Sequence, residues 1–215
     1  MVQPLTQEPV SFILLKYSTK SLQMTTTLPS QLLYIAAQFA SKDPYKEALV
    51  AINVKKDGET IKITSTDGHR AFRVSFEANE TFFMEEEELN LDSTAFKKRI
   101  AKAKVTILEG QMATVTDDKG SVIAGVPYTA LTVTFPNMNG SIWPDTYANE
   151  PGAPIAFNSS YLASFLTEVA RFGPNGNVKM NVNTPTTPMQ FDATLELFGD
   201  TYEVQYLLMP VQIRN

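Results

Sequence analysis

The order of predicted secondary structure repeats along this chain, and that repeat limits the folds available to it. One helix followed by about three strands occurs three times, at intervals of roughly 65 residues. Asp57-Gly58 and Asp67-Gly68 lie between runs that alternate apolar and polar residues, which is a strong signal for tight β-hairpins. Each unit would pack one amphipathic helix on one antiparallel sheet. The repeat therefore predicts an α+β fold.

Apolar residues at helical spacing predict three helices. The first opens at Leu28-Pro29-Ser30, with proline in the first turn, where its missing N–H costs little. The second follows a cap at Asp92 or Ser93, and its apolar stripe consists of Phe96, Ile100 and Ala103. The third runs over 159–172 and ends at a Gly/Pro/Asn-rich turn.

Alternating and apolar runs predict the strands. They lie at 48–55, 60–66, 70–76, 105–108, 112–116, 121–126, 130–135, 178–183, 189–195 and 203–208. The acidic run 85–88 is typical of a solvated loop or sheet edge. The stretch 136–154 is rich in Gly, Pro and Asn and is predicted to be a linker or a long loop.

The apolar segment 206–211 at the end of the chain is interrupted by Pro210. Proline cannot donate to a sheet ladder, so Pro210 is expected at a strand end or an edge. Two interpretations remain open from the pattern alone. The segment is either the last strand of the core or a short tail that leaves the sheet and lines a surface groove.

Composition excludes several classes of protein. The chain has 215 residues, no cysteine and a single histidine, so disulfides, Cys-bound zinc, iron–sulfur clusters and multi-His metal sites are excluded. No apolar run approaches the roughly 20 residues of a membrane helix, and no secretory signal is visible. We expect a cytoplasmic protein without a membrane partner. A net charge of −5 is unlike that of a protein that coats nucleic acid, but it permits one basic face.

Several short motifs, in this order, resemble the bacterial DNA sliding clamps, the DNA polymerase III β subunits that act as processivity factors. Thr66-Asp67-Gly68-His69-Arg70 matches a motif of the clamp's middle domain, and 207–211 resembles its C-terminal tail with Met-Pro between apolar residues. Trp143-Pro144-Asp145 is similar to the family's Phe-Pro-Asp. Pro151 falls where the family has a second proline, and Leu49 at the spacing of its pocket leucine.

The resemblance also implies a division of the chain. Residues 25–149 are similar to a whole clamp domain made of two helix-plus-strands halves, and 150–215 to a half domain that carries the apolar tail. The segment 1–24 is an N-terminal extension without an assigned role. The family's first domain has no other counterpart here, so the sequence does not define the oligomer, although a homo-oligomer is expected.

A hydrophobic pocket for short peptides of replication proteins is implied by the resemblance. The residues implied are Leu49, Thr66, Gly68, His69, Arg70, Pro151, Leu207, Leu208, Met209, Pro210 and Val211. An apolar concavity with a few polar anchors suits such ligands, and Met suits a surface that accepts several of them. Ala71 and Gln212 depart from the family pattern. A tight turn with a purely structural polar pair remains the alternative for Asp67 to Arg70.

Non-specific binding of duplex DNA is also implied, through contacts of basic helices with phosphates. The candidate residues are Lys97, Lys98, Arg99, Lys102, Lys104 and Arg171. A solvated basic helix is the alternative.

We therefore expect a clamp-like processivity factor without enzymatic activity. No nucleophile motif, phosphate loop or metal motif is present, and no cofactor is expected. Two alternatives stay open: a clamp paralogue that acts as a peptide-binding adaptor without a ring, and a β-rich virion or assembly protein.

Overall fold

The structure is a computed structural model that describes residues 25–139, 142–144, 155–182 and 187–211. Four features of the sequence analysis lie outside these residues: the extension 1–24, Asp145, Pro151 and Gln212. Within the described ranges, no helix is long and apolar enough to cross a membrane.

The secondary structure consists of eleven strands, three helices and one 3-10 turn in the described ranges. The helices are α1 (Ser30–Phe39), α2 (Glu47–Val50) and α3 (Ser159–Phe172), and the 3-10 turn is Ser93–Phe96. The strands before that turn are β1 (Thr25–Pro29), β2 (Ala51–Asp57), β3 (Thr60–Thr66), β4 (Arg70–Glu77) and β5 (Glu88–Asp92). Those after it are β6 (Val105–Glu109), β7 (Met112–Thr116), β8 (Val122–Pro127), β9 (Val178–Asn181), β10 (Met189–Leu197) and β11 (Asp200–Leu208).

The strands form two antiparallel sheets. One has four strands in the order β1-β6-β7-β8, and the other has seven in the order β5-β2-β3-β4-β11-β10-β9. β11 pairs with β4, with Val204 opposite Val74 and Leu208 opposite Arg70. This pairing makes one continuous sheet from the two parts of the chain that the sequence analysis divided near residue 149. The predicted α+β class, with helices on antiparallel sheet, is confirmed.

Alternation along the strands gives the seven-stranded sheet an inner and an outer face. Ile63, Phe72 and Tyr206 point to the inner face, where α1 and α3 pack. The rings of Phe39 and Phe72 stack at 5.4 Å, and those of Phe165 and Tyr206 at 4.7 Å. The inner face therefore holds the main core. The outer face carries polar side chains and a smaller apolar cluster of Ala71, Met138, Trp143 and Leu207.

The predicted second helix is wrong. Asp92 does cap the segment, accepting from the N–H of Thr94, but the helical part is only the 3-10 turn Ser93–Phe96. The side chain of Gln31 donates to the carbonyls of Ile100 and Ala103. Gln38 of α1 donates in the same way to the carbonyl of Lys97. The side chains of α1 thus bond three carbonyls of this segment, and Lys102 has a φ of +63°, which is incompatible with an α-helix, so the segment stays irregular.

Other boundaries also differ from the prediction. Residues 48–50 belong to α2 rather than to a strand, and the predicted strand at 130–135 forms only an isolated bridge between Leu91 and Ala130. Leu28 and Pro29 end β1, and α1 begins at Ser30. β1 and β5 were not predicted. The strands at 60–66 and 112–116 and the helix at 159–172 are confirmed with the predicted bounds.

Candidate functional site

The β3–β4 turn is shaped by its own polar side chains. Oδ1 of Asp67 accepts from the backbone N–H groups of His69 and Arg70, at 2.9 and 3.1 Å. Oγ1 of Thr66 donates to the carbonyl of Arg70 and accepts from the N–H of Gly68. Gly68 has a φ of +91°, which favours glycine. The motif thus builds a hydrogen-bonded turn. Such a turn is expected both for a peptide pocket and for the alternative, a tight turn with a purely structural polar pair.

The guanidinium of Arg70 joins this turn to helices α1 and α3. Its Nε lies 2.9 Å from Oδ2 of Asp67, and its Nη2 donates to the carbonyl of Gln38 at the end of α1. Its Nη1 donates to Oγ of Ser164 in α3. The group also lies over the ring of Tyr161, at 4.9 Å. Arg70 therefore positions the turn, and its polar atoms are already used within the protein.

The C-terminal tail runs beside this turn. After β11 ends, the N–H of Met209 donates to the carbonyl of His69 at 2.9 Å. The N–H of Val211 donates to the carbonyl of Ala156, just before α3, at the same distance. Both contacts hold the tail against the rest of the protein. Of the two interpretations of 206–211, each applies to part of it, because Tyr206 to Leu208 is core strand and Met209 leaves the sheet.

An apolar groove lies where the turn and the tail meet. It encloses about 510 Å³, its open mouth included. Its lining consists of Leu49, Thr66, Gly68, Arg70, Ala71, Pro136, Met138, Ile142, Leu207 and Met209. Six of the predicted pocket residues are therefore brought together at one site. Their assignment to peptide binding stays a prediction.

Four other predicted pocket residues do not line the groove. Leu208 is fully buried in the main core, because alternation places it on the inner face while Leu207 faces outward. His69 is exposed and stacks with Tyr161 at 6.0 Å. Pro210 and Val211 continue the tail beyond Met209.

The sequence analysis did not include four of the lining residues. Ala71 was noted only as a departure from the family pattern, and Pro136, Met138 and Ile142 fell in the stretch predicted to be a linker or loop. The segment 129–144, hereafter the strap (described without 140 and 141), contains the predicted strand 130–135 and the start of the predicted loop 136–154, and it crosses the outer face of the sheet. Pro136, Met138 and Ile142 lie after the alternating run 130–135, in a part without periodicity, so these apolar residues gave no structural signal.

Polar contacts hold the strap at both ends. Near β5, the N–H of Leu131 donates to the carbonyl of Asn90, whose side chain donates to the carbonyl of Val133. Further on, the guanidinium of Arg73 lies 4.0 Å from the centre of the Trp143 ring. These contacts place one wall of the groove.

The basic candidates lie around the 3-10 turn and α3. Lys98 and Arg99 are exposed. Burial lowers the pKa of Lys97, with nearby Asp92 opposing this shift and Lys42 adding to it. The guanidinium groups of Arg99 and Arg171 both lie near the ring of Phe172, at 5.5 and 5.9 Å. Arg99, just after the 3-10 turn, and Arg171, in α3, therefore lie near the same aromatic ring, and Lys97 precedes Arg99 by two residues.

Lys102 and Lys104 are placed differently. Lys102 is exposed at a left-handed position, with φ of +63°. The backbone of Lys104 pairs with Thr116 and Ser30, and its side chain lines a small cavity beside Phe198. Because the segment is not helical, the six basic residues do not form one helical stripe.

Glu168 is the acidic partner of this region. It is 6% exposed, and both carboxylate oxygens accept from Nη1 of Arg171 at 2.9 Å. Burial raises the pKa of Glu168, and Arg171 and Arg99 oppose that shift. The Glu168 carboxylate in turn raises the pKa of Arg171. No cluster of three or more metal-ligating side chains occurs in the described ranges.

Comparison with solved structures finds bacterial sliding clamps. Caulobacter crescentus pol III beta has a TM-score of 0.62 and 15% identity, over 90% of this chain and 68% of that one. The Bacillus subtilis DNA polymerase sliding clamp has a TM-score of 0.60 and 11% identity, over 90% and 66%. The Helicobacter pylori beta clamp bound to a DNA ligase peptide has a TM-score of 0.59 and 12% identity, over 89% and 66%.

No protein-family model matches the chain, and no curated protein matches it in sequence. At identities this low, the structural matches establish the fold. They confirm the resemblance that the motifs predicted. The chain has the fold of the bacterial DNA sliding clamps and spans about two thirds of the length of those clamp chains.

Proposed function

We propose that this protein is a clamp-like processivity factor that docks peptides of replication proteins in the groove and holds duplex DNA without reading its sequence. The observation that carries this proposal is the convergence of the β3–β4 turn and the C-terminal tail on one apolar groove, in a chain with the clamp fold. The role requires no chemistry by the protein, so we propose no enzymatic activity.

The composition of the groove supports a peptide ligand. Leu49, Met138 and Met209 offer flexible or branched apolar surface, and Leu207 forms part of the lining between them. Thr66 stands among these apolar residues as a polar group. A mainly apolar concavity with few polar groups suits leucine and phenylalanine anchors of a short segment. One solved relative by fold, the H. pylori clamp, is described with a DNA ligase peptide bound.

The basic residues support non-specific contact with duplex DNA. Lys98, Arg99 and Arg171 are exposed, and Lys97 is half-buried beside them in the chain. Contacts of such side chains with phosphates give affinity that is independent of sequence and falls steeply with salt. Holding a duplex by encirclement would need several copies of this chain, so we propose a homo-oligomer.

Peptide docking is tested by replacing Met209 with Ala. The ligand in the experiment is a synthetic peptide with glutamine followed by spaced leucine and phenylalanine. Met209 lines the groove and is 40% exposed, so its loss should weaken binding by about 1–3 kcal/mol while the fold remains intact.

The matched control is Met180→Ala, since Met180 is 55% exposed on the edge strand β9 and does not line the groove. We expect wild-type affinity for that variant. Equal affinity of Met209→Ala and wild type would refute docking in the groove.

DNA holding is tested with Lys97, Lys98 and Lys102 all replaced by Gln. Loss of three phosphate contacts should reduce the slope of log affinity against log salt by roughly 2–3. The control replaces Lys119 and Lys179, which lie in the β7–β8 turn and on β9. Peptide binding should be unchanged in both variants.

A ring would retain closed circular DNA and slide off a linear duplex of the same sequence. Equal retention on both would indicate an open assembly. If the wild type binds neither at low salt, the DNA-holding part of the proposal is wrong, and a peptide-binding adaptor is the function that remains.

A further inference from the structure

Two of the three helix-plus-strands units receive a strand from another part of the chain. The unit after α1 consists of β2, β3 and β4, and β5 pairs antiparallel with the outer edge of β2. The unit after the 3-10 turn consists of β6, β7 and β8, and β1 pairs in the same way with β6. The unit after α3 consists of β9, β10 and β11. Its first strand, β9, holds the position of β2 and β6 but has one neighbour where they have two, counting described residues alone.

Apolar side chains lie open along this edge of β9. Met180 lies opposite Phe191 of β10, so it points to the inner face of the sheet, yet it is 55% exposed. Val178, on the same face of β9, is only half-buried. Phe191, one strand further in, is buried. The inner layer of the core is therefore incomplete at β9.

Helix α3 leaves the same side open. Arg171 faces α1, because its guanidinium donates to the hydroxyl of Tyr34 at 3.4 Å. Leu166 lies about 140° around the helix from Arg171 and is 40% exposed. Since α1 packs on β3 and β4 and α3 packs on β10 and β11, the side of α3 away from α1 is the side of β9. Leu166, Val178 and Met180 thus border one apolar opening, hereafter the β9 notch.

We propose that segment 10–15 of this chain pairs with β9 as an added antiparallel strand and covers the β9 notch. This segment of the N-terminal extension is a strand-like run that is apolar apart from Ser11. Val10, Phe12 and Leu14 share one face of such a strand and supply the inner-face side chains for the notch. The orientation follows that of β5 on β2 and of β1 on β6, which are both antiparallel.

The connection is long enough for this pairing within one molecule. Residues 16–24 join the segment to Thr25 and can span roughly 33 Å. Thr25 begins β1, whose other end, Pro29, lines a small cavity together with Leu197 of the β10–β11 hairpin. β1 is roughly 13 Å long, and the paired part of β9 begins four residues along β10 from Leu197 and one strand spacing away, which is roughly 14 Å. The segment can therefore reach the β9 of its own molecule.

A segment of the same chain is favoured over an edge strand of a second copy. A flexibly linked segment acts at an effective concentration in the millimolar range, whereas a second copy must bind from solution. The edge strand β8, with Val122 and Ile123 exposed, is the alternative occupant from another molecule. Pairing between two copies is therefore the outcome that the experiment must exclude.

Disulfide trapping tests the pairing, and a chain without cysteine gives it a clean background. Met180→Cys is combined in turn with Val10→Cys, Phe12→Cys and Leu14→Cys in the full chain. Direct partners across two strands lie within the roughly 7 Å between Cα atoms that a disulfide allows. We expect one of the three pairs to form a disulfide within single chains under mild oxidation. The control combines the same three changes with Met112→Cys, because Met112 is exposed on β7 in the other sheet and should form no disulfide.

Amide hydrogen exchange of the full chain gives a second readout. Phe12→Asp places a charge in the notch, so the added strand should detach and the β9 amides should exchange about 10-fold faster than in the wild type. Leu5→Asp makes the same kind of change in the extension outside the run and should leave their exchange unaltered.

Each remaining outcome contradicts the inference. If none of the three pairs with Met180→Cys forms a disulfide, or if Phe12→Asp exchanges at the wild-type rate, segment 10–15 does not cover β9. Disulfides that join two chains would show that the occupant comes from a second copy, which overturns pairing within one molecule.

Discussion

The indole Nε1 of Trp143 donates a 2.8 Å hydrogen bond to Oε1 of Gln190, and this bond fastens the strap to β10. Both residues are buried, at 4% and 7% exposure. Gln190 also donates to Asp192, whose other oxygen accepts from the side chain of Asn181. A chain of polar contacts therefore runs from the strap to the edge strand β9. Because the strap supplies one wall of the groove, this bond links β10 to the proposed peptide groove.

Replacing Gln190 with Leu should test that link. The buried N–H of Trp143 would lose its acceptor, which should lower the free energy of unfolding by about 1–3 kcal/mol. Affinity for the synthetic peptide with glutamine, leucine and phenylalanine should also fall, since Pro136 and Met138 of the strap line the groove. Urea unfolding and peptide titration give the two readouts.

The control for Gln190 is Gln205→Leu on the outer face of β11, where Gln205 is half-buried and opposite Arg73. We expect a change within about 0.5 kcal/mol for that variant. Wild-type stability of Gln190→Leu would show that the strap is held by its apolar contacts alone.

Arg70 gives a second prediction, because its guanidinium serves three acceptors on separate elements. Lysine has a single nitrogen and cannot reach Asp67, Ser164 and the carbonyl of Gln38 together. Arg70→Lys should therefore lower the free energy of unfolding by about 2–3 kcal/mol. Chemical denaturation measures this loss of unfolding free energy, and Arg99→Lys, at an exposed arginine, is the control. A loss as small as that of the control would mean that these contacts contribute little to stability.

Two glycines allow the β3–β4 turn beside the groove to be compared with the β7–β8 turn, which does not line the groove. Gly68 and Gly120 both lie at positive φ, +91° and +78°, so alanine should cost about 1–2 kcal/mol of stability at either position. A Cβ at 68 would lie 3.6 Å from Cδ1 of Leu49 in the groove, whereas a Cβ at 120 meets nothing within 4 Å. Only Gly68→Ala should therefore weaken peptide binding. Calorimetry of both variants checks this, and equal peptide affinity would place the ligand away from Leu49.

Part of this site could be predicted because it depends on short-range chemistry. Asp67-Gly68 specifies a turn by itself, and a strand that leads into Met209-Pro210 must end there. The motif and the tail then meet because β4 and β11 are neighbours in the sheet. The placement of Leu208 was missed for a simple reason. Tyr206 and Leu208 share one face of β11, and that face is the buried one.

The rest depends on contacts between distant segments. The second helix fails because Gln31 and Gln38 of α1 bond the carbonyls at 97–103, and nothing within that stretch signals it. The alternating run 130–135 of the strap predicts a strand but forms only one bridge, and the part that follows has no periodicity. The position of the strap is set by Trp143 over Arg73 and by Gln190 on another strand. Local patterns predict the strands well, but they do not show which irregular segment covers them.

Glu168 gives the prediction with a pH dependence. Burial raises its pKa above the ordinary value of about 4.3, against the opposing effect of Arg171 and Arg99. The folded state therefore binds a proton more readily than the unfolded state. The free energy of unfolding should rise as pH falls from neutral through the folded pKa, and this gain should be complete below the ordinary value.

Glu168→Gln removes the titrating group, so its difference in stability from the wild type should change over that pH window and be constant outside it. Arg171→Gln removes the cation that opposes the effect of burial, so the window should extend to higher pH. Urea unfolding of the three proteins at several pH values checks both expectations. Parallel curves for wild type and Glu168→Gln would show that the carboxyl titrates alike in the folded and unfolded states. At neutral pH, Glu168→Gln also frees Arg171 from its ion pair, so retention on DNA should increase if this face contacts the duplex.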